Sequence, residues 1–437
     1  MTLQTLPVRP VGVPAHLPAR LTICLWDFSW YTQAAPGEAF ADLDRAMAET
    51  VERGYNTVRI CAAPLLLFGD LGLDTTQLPF AAMGGGVGHG TRWYNCAGGA
   101  IINGRSRLLD LFEAARRWDV HVIVSSWEYQ QSSAFLADSR WYDALMAIEP
   151  GRRYQALADA LVAMVGFLAE HGLADRIAYL ELHNEVDLSR LTEIGGPGAD
   201  PYWCQRDVLT QALRSASDRL PDYLVTACYG VTPHLDMGCL PDNVHVAHCH
   251  VYVYGVLGAL EQWAGVRLGP PQFPTDNLVG LLSAHAPAFD SQLAQVPRWR
   301  LDATGVSPSM FYAYDNVDPE LWDRWLYDNY HRYAEAMDQA VRDRLTAISL
   351  WARRHGVPAV VGEGWVGYTP LHADFEDGPI GHAINERAVQ LAAEMGFWGA
   401  VLGSNCAPHH PAWADADWQK RWNRYFLSTG TPDRPRG

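Results

Sequence analysis

Short apolar runs alternate with stretches of helical periodicity along most of the chain. Eight runs read as strands: 21–30 (LTICLWDFSW), 55–60 (YNTVRI), 121–128 (HVIVSSWE), 177–186 (IAYLELHNEV), 223–230 (YLVTACYG), 244–252 (VHVAHCHVY), 358–365 (PAVVGEGW) and 397–406 (FWGAVLGSNC). Several turn abruptly polar and carboxylic at their last residues. Between them, residues 38–53 place Phe40, Leu43, Met47 and Val51 on one stripe, and 150–172 place Leu157, Leu161, Val165 and Leu168 at i+3 and i+4 spacing. Residues 106–119, 202–220 (stopped by Pro221), 319–355 (ended by Gly356) and 382–396 also read as helices. Eight strands, most followed by a helix, predict an α/β chain forming a single (β/α)8 TIM barrel rather than an open sheet.

Two connections are long for a compact barrel. Residues 61–105 contain GGGVGHG at 84–90, which matches neither dinucleotide nor P-loop spacing and reads as a mobile flap or lid. Residues 253–318 are Pro-rich and aromatic and read as an irregular wall over the site. No repeat or low-complexity linker divides residues 21–437, and the Pro-rich leader 1–20 is expected to wrap the outside of the barrel.

Composition narrows the class. The chain has 437 residues, 49% apolar and 19% charged, enough for one large core with insertions. Its net charge of −16 argues against nucleic acid or an anionic membrane as partner, because both select clustered Lys and Arg. No apolar run is long enough to span a bilayer. The leader carries four prolines and no continuous apolar segment, so it does not read as a secretory signal. The eight cysteines are scattered without a CxxC, which suggests free thiols and a reducing, cytoplasmic setting. The 17 tryptophans and 19 tyrosines suit packing against sugar rings as well as core packing.

The chemistry is carried by carboxylates at strand ends. Asn184-Glu185 tips the fourth strand, and Glu363, 178 residues later, tips the seventh. In a parallel barrel the C-terminal ends of the strands face the substrate. Two carboxyls about 5–5.5 Å apart there suit retaining glycoside hydrolysis, and about 6.5–9.5 Å suits inversion. Arg59 is the one charge in the second strand's apolar run and requires a partner. Strict alternation puts Asn184 and Glu185 on opposite faces, so a bend or bulge is predicted there. Glu181 and His183 share parity with Glu185 and point inward, where each needs a partner.

Taken together, Arg59 in NTVRI, Asn184-Glu185, His250-Val251-Tyr252 and Glu363 resemble the clan A glycoside hydrolases, most closely glycoside hydrolase family 5 and its cellulase-like relatives. The resemblance spans about residues 21–406. It implies Glu185 as acid/base and Glu363 as nucleophile. It implies Asn184 as a ligand of the sugar 2-OH and Arg59 as the cation that orients Glu363 and keeps it ionised. Tyr252 would bond Glu363, and His250 would support the acid/base side. The family's usual histidine at the end of strand three is replaced by Ser126-Trp127-Glu128. Its tryptophan at the end of strand eight is replaced by Gly403-Ser404-Asn405, since Trp398 lies at the strand's start. Trp127, Glu128, Trp365 and Asn405 are therefore candidates for the remodelled sugar contacts, with Trp26 and Asp27 as further lining candidates.

The resemblance thus implies a retaining β-glycosidase with a carbohydrate substrate and no metal or organic cofactor. His248 and His250 share one strand face while His245 points the other way, so this trio reads as a packed strand with one functional histidine rather than a metal site. His409-His410 read as solvated rim residues. The long connections favour exo-action or short oligosaccharides over polymers. A sugar-binding barrel without turnover and a transglycosylase using the same carboxylates are the alternatives.

Overall fold

The computed structural model describes residues 9–429. The eight expected strands form one parallel sheet in the order five, four, three, two, one, eight, seven, six, five. The fifth strand appears at both ends of that order because it is split. Val225–Thr226 pairs with strand four (Ile177–Glu181), and Cys228–Tyr229 pairs with strand six (Ala247–Cys249). The sheet therefore closes into a barrel, with strands one (Leu21–Asp27), two (Thr57–Cys61), three (His121–Ser125), seven (Ala359–Val361) and eight (Gly399–Val401) completing it.

Each ladder is shorter than its apolar run. The polar tips leave the sheet because the chain turns there into the loops that line the mouth. Strands six and seven resume beyond their breaks as Val251–Val253 and Gly364–Val366, which pair with each other apart from the barrel sheet. His250 and Glu363 sit at those two breaks.

The barrel interior holds Leu21, Ile23, Ile123, Tyr179, Val246, Val360, Trp398 and Val401, and Val13 and Leu17 pack into the same cluster. The described part of the leader thus closes the N-terminal mouth instead of wrapping the outside, and its residues 1–8 lie outside the described chain. Inward side chains at that end are apolar, and covering them removes apolar surface from water. The Trp398 indole N–H donates to the Pro18 carbonyl at 3.0 Å and fixes the segment. A second, larger apolar cluster lies between the barrel and its helices.

The helices follow the predicted stripes with sharper ends. Leu43–Glu52 and Gly104–Arg117 start where Asp42 and Asn103 accept the backbone N–H three residues on. Residues 319–355 form two helices, Pro319–Tyr330 and Ala334–His355. The stretch 253–318 is not irregular. It contains five helices, Gly255–Ala264, Asp276–Val279, Phe289–Leu293, Arg298–Asp302 and Pro308–Asn316. Most are too short to show a 3.6-residue stripe. Residues 61–105 are likewise structured, with helix Pro64–Phe68 and the antiparallel pair Leu78–Ala81 and Gly98–Ile102.

The glycine-rich segment 84–90 is pinned rather than free. The Asp315 carboxylate accepts from the backbone N–H of Gly88 (2.8 Å) and Gly90 (2.6 Å). Arg300 donates to the Ala82 carbonyl at 2.9 Å and the Met83 carbonyl at 3.1 Å. The two insertions therefore brace each other over the mouth. All eight cysteines are free thiols. Among the described residues no helix is long and apolar enough to cross a membrane.

Candidate active site

Arg59 is the hub of the buried polar network. Its guanidinium grips Glu181 with two bonds (Nε to Oε1 2.9 Å, Nη2 to Oε2 2.7 Å) and also donates to Glu363 Oε1 (2.7 Å) and Asn184 Oδ1 (2.7 Å). Glu181 takes a further contact from His248 Nδ1 at 3.0 Å. Burial alone would raise the Glu181 carboxyl, but Arg59 and His248 overcome it and hold the group well below the usual carboxylate range. The inward-pointing Glu181 thus has its partner, and Arg59's main counter-ion is Glu181. Glu363 shares the remaining guanidinium edge.

Strand four bends after Glu181, and Glu185 adopts the left-handed conformation (φ 43°, ψ 60°). The predicted irregularity lies at this point. It turns Asn184 toward Arg59 and Glu185 into the mouth. A left-handed non-glycine residue costs about 1–3 kcal/mol and is held only by its surroundings. Here they include Gln130, whose amide donates to Glu185 Oε2 (2.6 Å) and accepts from the Asn184 amide (2.8 Å). Gly230 also backs directly onto Glu185: a Cβ at residue 230 would lie 2.7 Å from the Glu185 carboxyl carbon.

His250 links the two carboxyls. Its Nδ1 lies 2.8 Å from Glu185 Oε1 and 3.5 Å from Glu363 Oε2, and its Nε2 lies 2.9 Å from Cys228 Sγ. Burial pushes the His250 imidazole down to about 3 and the Cys228 thiol far up, so both are neutral near pH 7. The tautomer follows: the Cys228 S–H donates to Nε2, and Nδ1–H donates to Glu185. Tyr252 donates to Glu363 Oε2 at 2.8 Å and meets the Ser404 hydroxyl at 2.8 Å. Tyr368 donates to the Tyr252 hydroxyl at 2.6 Å.

One oxygen of Glu185 lies within 4.8 Å of one oxygen of Glu363. Burial raises both carboxyls. On Glu185 the Gln130 bond opposes the rise. On Glu363 the repulsion from Glu185 adds to it, while His250 and Arg59 oppose it.

Both carboxyls face a small cavity of about 30 Å³ that Asp27, Trp127, Asn184 and Asn405 also line. It continues, through Trp93, Gln131, Glu185 and Tyr368, into a cavity of about 350 Å³ bounded by His250, Tyr252 and Tyr254. Asp27, like Glu185, is left-handed (φ 43°). Trp127 lies under Arg59, with the guanidinium carbon 4.6 Å from its ring.

Three expected sugar contacts lie elsewhere. Glu128 is buried behind the mouth, accepting from the backbone N–H groups of Leu65 (3.0 Å) and Leu66 (2.7 Å) and from the Ser126 hydroxyl (2.9 Å). It caps helix Pro64–Phe68, and burial raises it to about 7. Trp365 is fully buried, with its indole N–H on the Val401 carbonyl at 3.2 Å. Trp26 is fully buried and packs edge-on to Phe40, with ring centroids 5.0 Å apart. His409 and His410 are not solvated either. The His409 ring is 1% exposed with Nε2 3.5 Å from Asp27 Oδ2, and His410 is buried.

The site also uses residues that the sequence did not single out. Gln130, Gln131, Trp93 and Tyr368 come from loops, where no periodicity marks them. Ser404 belongs to the altered end of strand eight. The polar tip GSN beyond strand eight was its available signal.

A family model described as "Cellulase-like: Sugar-binding cellulase-like" matches residues 23–190 and 312–427, well over half of the chain. The chain belongs to this family. No curated protein matches the sequence. Among solved structures, this cellulase-like barrel is similar to a putative glycoside hydrolase from Parabacteroides distasonis, with TM-score 0.67 at 19% identity over 94% of both chains. It also matches an endo-beta-1,4-mannanase from Thermotoga petrophila (TM-score 0.46, 13% identity, 96% of this chain and 78% of that one). A family 5 mannosidase from Rhizomucor miehei gives TM-score 0.44 at 12% identity over 94% of both. The identities mark a divergent member, and the likeness extends to the barrel fold. The family's match resumes at residue 312, so most of the 253–318 insertion lies outside it.

Proposed function

We propose that the protein is a retaining β-glycosidase in which Glu185 is the acid/base and Glu363 the nucleophile. The observation that carries this is that one carboxyl oxygen of Glu185 lies within 4.8 Å of one of Glu363 across the mouth, a close approach that favours double displacement over the wider gap that an inverting water needs. Glu363, against Arg59 and Tyr252, is the better placed to carry charge. Glu185, whose direct bonds come from a neutral amide and a neutral imidazole, with Arg59 acting on it only from a distance, is the better placed to hold a proton. Glu185 protonates the glycosidic oxygen as Glu363 forms a bond to the anomeric carbon and the leaving group departs. Glu185 then takes a proton from water, which cleaves the glycosyl ester and releases Glu363. In this reading Asn184, held by Arg59 and Gln130, bonds the sugar 2-OH, and Asp27, Trp127 and Asn405, which line the same small cavity, take the remaining hydroxyls. The small deep cavity and the braced insertions above it favour short glycosides or exo-action.

A panel of nitrophenyl β-glycosides tests this reading, with proton NMR of the first-formed anomer. Release with retained configuration is expected. Initial inversion rules out Glu363 as nucleophile. A sugar-binding barrel without turnover would give calorimetric binding and no nitrophenol.

Two further expectations arise from the geometry. In Gln130→Met the donor to the Glu185 carboxylate is lost. A bond to the charged form lowers a pKa, so its loss raises that of Glu185. The alkaline limb of kcat/KM should therefore move to higher pH, and an unmoved limb would dissociate Glu185 from it. In Gly230→Ala the new methyl displaces the Glu185 carboxyl. A shift of about 1 Å costs on the order of 10²-fold in kcat. Measured rates on the best glycoside of the panel, beside an unchanged circular dichroism spectrum, check this.

A further inference from the structure

Glu185 lines the larger cavity, about 350 Å³, and Glu363 does not. In the double displacement above, the leaving group departs toward the acid, so this cavity is where it is received. Its volume falls in the range of small-molecule sites. Much of the wall is apolar or aromatic, from Leu188, Val231, Val306, Met310 and Tyr254. Two arginines interrupt that wall, Arg267 and Arg344.

The two arginines are not equivalent. Arg267 Nε donates to the buried Glu261 carboxylate at 2.8 Å, so its charge is balanced within the protein. Arg344, half-buried on helix Ala334–His355, donates Nη1 to the backbone carbonyl of Tyr252 and forms no ion pair among the described residues. A neutral carbonyl satisfies one of its N–H groups and none of its charge. Burial lowers its pKa, as expected for a cation without a counter-ion. The chain as a whole carries −16, so its long-range field repels anions, and a cation without a counter-ion on this cavity wall offsets that field locally.

We propose that this cavity binds a leaving group bearing an anionic substituent, a carboxylate, sulfate or phosphate, that pairs with Arg344 while its apolar face packs on the aromatic wall. The inference rests on Glu185 being the acid. It names the substrate class of the same site, a β-glycoside with an acidic aglycone or a glycan whose next residue is a uronic or esterified sugar. Guanidinium recognises each of these anions through paired N–H donors, and charge-assisted bonds of this kind are among the strongest single contacts available.

Matched pairs test it. With the glycone fixed by the nitrophenyl panel, the 4-carboxyphenyl glycoside is compared with its methyl ester, and a disaccharide ending in a uronic acid with the one ending in the neutral sugar. Wild type should favour the anionic member by roughly ten- to hundredfold in kcat/KM, although the ester is the better leaving group. Which pair shows the preference separates aryl from sugar sources. Arg344→Met should bring the ratio near one, and Arg344→Lys, which keeps charge but not the fork, should retain part of it. A ratio of one or below in wild type, or an unchanged ratio in Arg344→Met, overturns the proposal. If wild type cleaves no glycoside, the hydrolytic reading fails by itself. The anion site is then decided by calorimetry with 4-hydroxybenzoate, its methyl ester and glucuronate. Tighter binding of the anions that is lost in Arg344→Met supports it, and equal binding overturns it.

Discussion

Glu363→Ala is expected to lower kcat by about four orders of magnitude or more on every cleaved glycoside, because removing a covalent nucleophile leaves only binding and the remaining acid. Glu185→Ala should behave differently. General acid–base catalysis contributes about 10²–10⁴-fold, and least where the leaving group needs no proton. The first step on a dinitrophenyl glycoside should therefore survive, while hydrolysis of the glycosyl ester slows and the ester accumulates. Mass spectrometry of the intact variant should then show the added glycosyl group. Added azide distinguishes the residues further. In Glu185→Ala it attacks the ester and gives the β-glycosyl azide. In Glu363→Ala it occupies the emptied side and gives the α-azide. Wild-type rates in both variants would remove the assignment, and exchanged azide products would reverse it. The asymmetry has a physical basis. Burial raises both carboxyls, but only Glu363 has a guanidinium at 2.7 Å and a phenol at 2.8 Å to stabilise its charge.

Much of this was legible in the sequence because barrel chemistry sits at strand ends, and strand ends are visible as apolar runs that turn polar. Asn184-Glu185, Glu363, Arg59 and His250-Val251-Tyr252 were found in this way, and the bend at Glu185 followed from the two-residue period of a strand. The same signal misled at Glu128 and Trp365. Both follow strand ends, but a run of residues does not say which way a side chain points once the ladder has ended. Glu128 turned to the unpaired N–H groups of a five-residue helix, and Trp365 turned into the apolar core outside the barrel with its indole N–H on the Val401 carbonyl of strand eight. Gln130, Trp93 and Tyr368 reach the cleft from loops whose course depends on long-range contacts such as Asp315 with Gly88 and Gly90. The leader's course is hidden for a similar reason. Val13 and Leu17 are too sparse to read as an element, yet they suffice to cover the barrel's apolar end.

The second large effect is expected at Arg59. The inward parity of Glu181 raised the question of its partner, and the answer joins fold to site. One fully buried guanidinium holds Glu181 with two bonds and Glu363 and Asn184 with one each. Among the described residues, Arg59→Met removes the one arginine bonded to these three acceptors while leaving the Glu181 carboxyl inside the barrel. Breaking a buried pair in this way costs about 3–5 kcal/mol, because the stranded charge has no solvent. The urea midpoint should fall accordingly, and kcat should fall with it as Glu363 and Asn184 lose their anchor. The pH dependence has a definite sign. The folded Glu181 carboxyl lies well below its ordinary value of 4.5, so its stabilisation is fully present above that value and fades as pH falls toward the depressed one. The difference between wild type and Arg59→Met should therefore persist from pH 5 upward and narrow in acid. In Arg59→Met/Glu181→Leu both charges go and the volume is kept, so much of the stability should return. Activity should not return, since Glu363 still lacks its cation. Recovery of both together would mean that Arg59 serves the fold alone. Recovery of neither would mean that the barrel interior needs the ion pair for its packing.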